Sequence, residues 1–217
     1  MAAALDDSVA MVHLCNPNNP TGKLIPAGDL RAFISQVAPR ATVLVDEAYN
    51  ELTDRPDDNS TIDLVKAGAD VIVCRTFSKI YGMAGLRVGY AITSKANAAR
   101  IRSHQMSFGG NLGGLAAAIA SLNDTPFLER SRAAVLEARG MIVDAVAKAG
   151  LTALPSQTNF VFVKVPDANA LRDAMAGKGI AIRGASGSLN TFSRVSTGRI
   201  EDVARYAAAL PELAAKL

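Results

Sequence analysis

The chain has 217 residues, enough for one large domain or two small ones with a real hydrophobic core. It is 49% hydrophobic and 20% charged, near the globular average, which argues against both disorder and a membrane protein. The net charge of +3 includes no basic arm, and aromatics are only 5% with no Trp, so no nucleic-acid partner is expected.

Met1 to Ala10, "MAAALDDSVA", lacks the positive and long apolar regions of a secretory signal. No run approaches the ~20 apolar residues of a membrane span. The two cysteines, Cys15 and Cys74, give neither a disulfide framework nor a CxxC pair, so a reducing, cytoplasmic location is expected. The chain enters a strand-like run almost at once, as a chain does when it starts inside a domain.

The pattern predicts a strand over Val9 to Leu14, followed by the turn cluster "NPNNPTG". Leu30, Phe33, Ile34 and Val37 share one face of a helix over Ala27 to Val37. "ATVLVDEAY" reads as a strand ending in a carboxylate, Ser60 as the cap of a short helix through Lys66, "DVIVC" as the next strand and Arg87 to Thr93 as another. A helix over Lys95 to His104, a flexible loop "SFGGNLGG" and a helix over Leu115 to Leu122 follow. Asp124-Thr125-Pro126 opens a long helix to Ala149, with Gly140 marking a bend. Beyond it come a strand "NFVFVKV", a helix near Ala168 to Ala176, strands "IAIR" and "FSRVST", and a last helix from Ile200.

Continuous apolar strands alternating with helices predict an α/β fold with a mainly parallel sheet over residues 1–123. A long linking helix and a smaller α+β domain are expected over 124–217. In parallel sheets the chemistry lies outside the carboxyl ends of the strands. Three polar clusters obey that rule: Asn16 to Gly22, Asp46 to Tyr49 and Thr76 to Lys79.

Read as one site, these clusters offer Lys79 as a nucleophile toward carbonyls, because partial desolvation lowers a lysine pKa. Thr76 and Ser78, with their turn N–H groups, and Arg87 suit a phosphate. Asp46 supplies a carboxylate, Tyr49 a phenol and Asn19 an amide. An aldehyde partner, a phosphate cradle and an acid for a ring nitrogen match pyridoxal 5'-phosphate.

Each residue also has a plainer reading. Lys79 alone would be a solvated surface residue, Asp46 a capping carboxylate, Asn19 a turn former, and Thr76 and Ser78 ordinary turn hydroxyls. Arg194 lies in a strand and has Glu201 and Asp202 nearby in sequence as ion-pair partners. The glycines from Gly109 to Gly114 are followed by no GK[ST], so no P-loop is indicated. His13 and His104 lack ligand-spaced partners, so no metal is expected, and both cysteines read as core residues.

"NPNNPTG", "DEAY", "SK" with Arg87 eight residues on, and "SRVSTG" (Ser193 to Gly198) together resemble the class I/II aminotransferases, fold type I pyridoxal-phosphate enzymes. "PSQTNFVFV" followed by "GIAIRG" is similar to the histidinol-phosphate branch of that family. The resemblance implies that Asn19 and Tyr49 bind the cofactor's ring oxygen and Asp46 its pyridine nitrogen. It implies that Lys79 forms the Schiff base and moves the substrate proton. Thr76, Ser78 and Arg87 would hold the phosphate, Arg194 the substrate carboxylate or phosphate, and Arg183 a second substrate contact. The implied reaction is transamination between an amino donor, histidinol phosphate or an aromatic amino acid, and a 2-oxo acid. Decarboxylation or C–S lysis on the same cofactor, and a non-catalytic binding module, are the alternatives.

Family chains carry a long segment before the first strand seen here, with a glycine-rich phosphate turn, an aromatic ring for the cofactor and a tyrosine for the partner subunit. The chain therefore reads as truncated. An unpaired sheet edge and uncovered apolar faces are expected for it, and a homodimer for the complete protein.

Overall fold

The structure, a computed structural model, describes residues 2–217 and forms two compact units. The first holds residues 2–17 and 24–128; the second holds 18–23 and 129–217.

In the first unit the apolar runs become β1 (Met11–Cys15), β2 (Thr42–Asp46) and β3 (Val71–Thr76), which lie parallel in that order; β4 (Gly89–Thr93) closes the sheet antiparallel to β3. Between the strands run α1 (Ala27–Val37), α2 (Pro56–Asn59) and α3 (Ile62–Lys66), and after them α4 (Lys95–Ser103) and α5 (Leu112–Leu122). Side chains alternate across a sheet, so Val12, Leu14, Val43, Val45, Val71 and Val73 share one face. They form a core with Leu30, Ile34 and Val37 of α1. The other face carries Met11, His13 and Cys15 beside Thr42, Leu44 and Asp46; Met11 is 49% exposed and His13 is also exposed. The tight β3–β4 pairing requires Gly89, where a Cβ would stand 2.9 Å from the Arg75 carbonyl oxygen.

In the second unit, α6 (Thr125–Lys148), most of which belongs to it, α7 (Ala168–Gly177) and α8 (Ile200–Ala214) pack on one face of an antiparallel sheet. Its order is β5 (Thr152–Ala153), β6 (Phe160–Lys164), β7 (Phe192–Ser196). Val161, Val163 and Val195 meet Ile142, Leu171, Met175, Val203 and Leu210 there. The Asp124 carboxylate caps α6 by accepting the Phe127 N–H at 3.0 Å.

Several local expectations are corrected. "IAIR" is not a strand. The Ile180 N–H bonds back to Met175 O, and Ser193 Oγ takes the Arg183 carbonyl that a ladder would use. The segment meets β7 through one long backbone bond, Arg183 N–H to Arg194 O at 3.4 Å. α6 runs through Gly140 unbroken, because neighbouring turns supply the hydrogen bonds that one glycine does not remove. α5 starts at Leu112, three residues early, since Asn111 accepts the Gly114 N–H and nucleates the first turn. Ser60 accepts the Ile62 N–H only at 3.4 Å and donates its hydroxyl to Glu47; Thr61 holds the cap position of α3. Cys15 and Cys74 are half-exposed rather than core, because both lie on the open face of the sheet. Among the described residues no helix is long and apolar enough to cross a membrane.

Ile34 is fully buried in the first core, so Ile34→Ala removes apolar contact and leaves a cavity. The expected loss is about 2–5 kcal/mol in chemical denaturation followed by circular dichroism.

Candidate active site

The parallel register sets Cys15, Asp46 and Cys74 in one row at the carboxyl ends of β1, β2 and β3. As the chain leaves β2, Asp46 Oδ1 accepts the Ala48 N–H at 3.0 Å, an Asx turn that fixes the carboxylate. Tyr49 follows, buried, with its ring centroid 5.2 Å from Lys79 Nζ. Thr76 ends β3; its Oγ1 accepts the Ser78 N–H at 3.0 Å and donates to Val88 O at 3.4 Å. This hydroxyl shapes the turn that carries Ser78 and the half-buried Lys79.

Arg87 adopts a left-handed backbone at φ 55, ψ 47, a strained conformation for a non-glycine residue. From it Nη1 donates to Ala84 O at 2.8 Å and to Ser78 Oγ at 3.4 Å. Asp46, Thr76, Ser78, Lys79 and Arg87 line a single cavity of about 390 Å³, with Leu44, Ala48, Cys74 and Arg75. The cavity thus gathers one carboxylate, one amine, two hydroxyls and two guanidinium groups.

Sequence reasoning missed the charged residues beside these. Glu47, 1% exposed, accepts the Thr61 N–H at 2.7 Å, the Thr61 and Ser60 hydroxyls at 2.9 Å each, and Arg75 Nη2 at 2.9 Å. Arg75 Nη1 reaches Glu51 Oε1 at 3.3 Å. Burial pushes the Glu51 carboxyl above its usual range, and the Glu47 charge adds to this; Arg75 and a backbone hydrogen bond only partly offset it. The available signal was a charged residue directly following Asp46 and another directly preceding Thr76, at the ends of apolar strands.

Asn19 and Arg194 belong to the second unit. Gly22, at φ +76, lets residues 18–23 lie against Ser156, whose Oγ would be 2.7 Å from a Cβ. Gln157 N–H donates to Gly22 O at 2.9 Å. Arg194, on β7, donates from Nη1 to Asn19 Oδ1 at 2.7 Å and lies 4.9 Å from the Phe160 ring centroid. Glu201 and Asp202 pair with Arg199 instead, at 4.0 and 3.3 Å. Arg183 is exposed in the irregular segment before β7, and only its backbone meets Arg194.

The family model for aminotransferase class I and II matches residues 1–210. The chain is 40% identical to histidinol-phosphate aminotransferase 2 of Ralstonia nicotianae, covering 97% of this chain and 58% of that protein. The crystal structure of histidinol-phosphate aminotransferase from Sinorhizobium meliloti, in complex with pyridoxal-5'-phosphate, superposes with a TM-score of 0.87 at 36% identity. That match covers 95% of this chain and 57% of that one. L-threonine-O-3-phosphate decarboxylase from Porphyromonas gingivalis shares the fold, with a TM-score of 0.78 at 23% identity over 97% of this chain and 66% of that one. The chain therefore spans less than two thirds of the length of these relatives.

The raised Glu51 pKa fixes the sign of a pH effect. In the unfolded chain the group titrates near 4.5, and when folded it keeps its proton to higher pH. Its stabilising contribution is present below 4.5 and is lost as pH rises through the folded value. Glu51→Gln is expected to flatten melting temperature against pH above 4.5 and to raise it at neutral pH.

Proposed function

The chain belongs to the class I and II aminotransferases, and from that premise we propose that it carries the cofactor-binding half of a pyridoxal-phosphate-dependent transaminase. The observation that carries the reading is the cavity of about 390 Å³ in which Asp46, Thr76, Ser78, Lys79 and Arg87 converge. Its donor set fits the cofactor. Lys79 Nζ would hold the aldehyde carbon, Asp46 would pair with the ring nitrogen, and Thr76, Ser78 and Arg87 would hold the phosphate. Asn19 and Tyr49 would each donate to the ring oxygen. Bound there, pyridoxal phosphate supplies an electron sink for charge at the substrate α-carbon.

Lys79 Nζ would also carry the proton to and from that carbon. Tyr49, whose ring faces Nζ, limits where the amine swings. Arg194, held by Asn19 and stacked on Phe160, receives the substrate carboxylate, or the phosphate of a donor that lacks one. Arg183 provides a second anionic contact. Histidinol phosphate with 2-oxoglutarate is the donor and acceptor pair we favour; the likeness to the Ralstonia and Sinorhizobium histidinol-phosphate aminotransferases supports the donor. The complete protein is expected to act as a homodimer.

The purified chain should turn yellow with pyridoxal phosphate, and borohydride should fix the cofactor on Lys79, as read by peptide mass spectrometry. Lys79→Ala should abolish the fixation and lower glutamate formation by about 10²- to 10⁴-fold or more. A chain that stays colourless and unmodified overturns the reading.

A further inference from the structure

We infer that Glu47, Arg75 and Ser60 form a clamp that positions the two halves of the cofactor site relative to each other, an inference that rests on the function proposed above. Glu47 follows Asp46 directly, and Arg75 directly precedes Thr76. Asp46 carries the ring-nitrogen partner, and Thr76 begins the phosphate turn. Their separation is therefore set where β2 and β3 end.

Two links hold that point, one of backbone and one of side chains. Glu47 N–H donates to Cys74 O at 2.9 Å, a backbone link one residue past the Asp46–Cys74 pair. The side chains make the second link. Arg75 donates to Glu47 Oε2 from Nη2 at 2.9 Å and from Nε at 3.2 Å, a forked, charge-assisted contact. Ser60 Oγ bridges the same two groups, donating to Glu47 and accepting from Arg75 Nη2, both at 2.9 Å. Thr61 supplies Glu47 with two further donors, so both carboxylate oxygens are occupied.

A buried ion pair is poor evidence for stability in itself, because desolvation offsets most of the attraction. It is strong evidence for a fixed geometry, because the forked contact and its bridge admit one arrangement. Glu47 does not line the cavity; Arg75 does, but its guanidinium is engaged by Glu47, Glu51 and Ser60, so both act through their neighbours. They are positioning residues.

The test uses the 217-residue chain, its Glu47→Gln, Arg75→Lys and Ser60→Ala variants, and pyridoxal phosphate as the probe. Far-ultraviolet circular dichroism and melting temperature establish that each variant folds. Cofactor affinity is measured by absorbance titration, and the absorption maximum of the bound cofactor is recorded at one pH. Glu47→Gln and Arg75→Lys are each expected to weaken binding by about 10- to 100-fold and to move the absorption maximum, as loss of an outer hydrogen-bond partner does at other ligand sites. Combining the two should weaken binding no further than the worse single change, because they act as one unit. Ser60→Ala leaves the ion pair in place and removes only the bridge; it should show the same spectral shift with a smaller loss, and it serves if the charged variants do not fold. Wild-type affinity and an unmoved maximum in the folded variants overturn the clamp while leaving the proposed function intact. A wild-type chain that binds no pyridoxal phosphate overturns the proposed function and the clamp's purpose with it.

Discussion

Asp46 is paired in register with Cys74 in a parallel ladder, and the arrangement of the candidate site follows from that pairing. Parallel strands end on the same side of the sheet, so the turns after β2 and β3 emerge next to each other. One residue past the pair, Glu47 and Arg75 form their forked contact, and two residues past Cys74, Thr76 begins the turn that carries Lys79. A slip of one residue between β2 and β3 would turn Asp46 toward the covered face of the sheet, and Val43 and Val45 out of the core. The valine-rich core thus sets the register, and the register sets the chemistry.

The site is built at some energetic expense. Arg87 holds a left-handed backbone, two carboxylates are drawn around one guanidinium, and the Glu51 carboxyl is held in surroundings that favour its neutral form. Strain and buried charge of this kind persist where the surrounding packing over-determines them. Here that packing is supplied by Leu52, Phe77 and Ile80, all nearly fully buried in the turns themselves. The aromatic rings of Phe77, Tyr81 and Tyr90 add a second layer, with centroids 5.0 and 5.6 Å apart from Phe77.

The second unit follows a different plan. Its antiparallel sheet is covered by helices on the face of Val161 and Val163, while Phe160 and Phe162 project from the other. Phe162 stacks on Phe192 at 4.8 Å and Phe160 receives the Arg194 guanidinium, so this second row combines apolar packing with one fixed cation. The turn containing Asn19 is tied to this unit through Gly22 and Gln157, which explains why a stretch so early in the chain groups with its last ninety or so residues.

The chain by itself determined the four strands of the first sheet, the longer helices and the polar clusters at strand ends, because hydrophobic periodicity and turn chemistry are local properties written in consecutive residues. Asp46, Thr76, Ser78, Lys79 and Arg87 were legible for that reason, and their convergence on one cavity agrees with the rule for parallel sheets. The partner of each charge was not legible. Arg194 donates to Asn19, 175 positions away, and Glu47 gathers Arg75, Ser60 and Thr61. "IAIR" has a strand's composition but loses its carbonyl to Ser193, a bond between segments that no local pattern announces. Only the tertiary structure decided these points, because a hydrogen bond or ion pair is chosen by distance in space and by what burial leaves exposed.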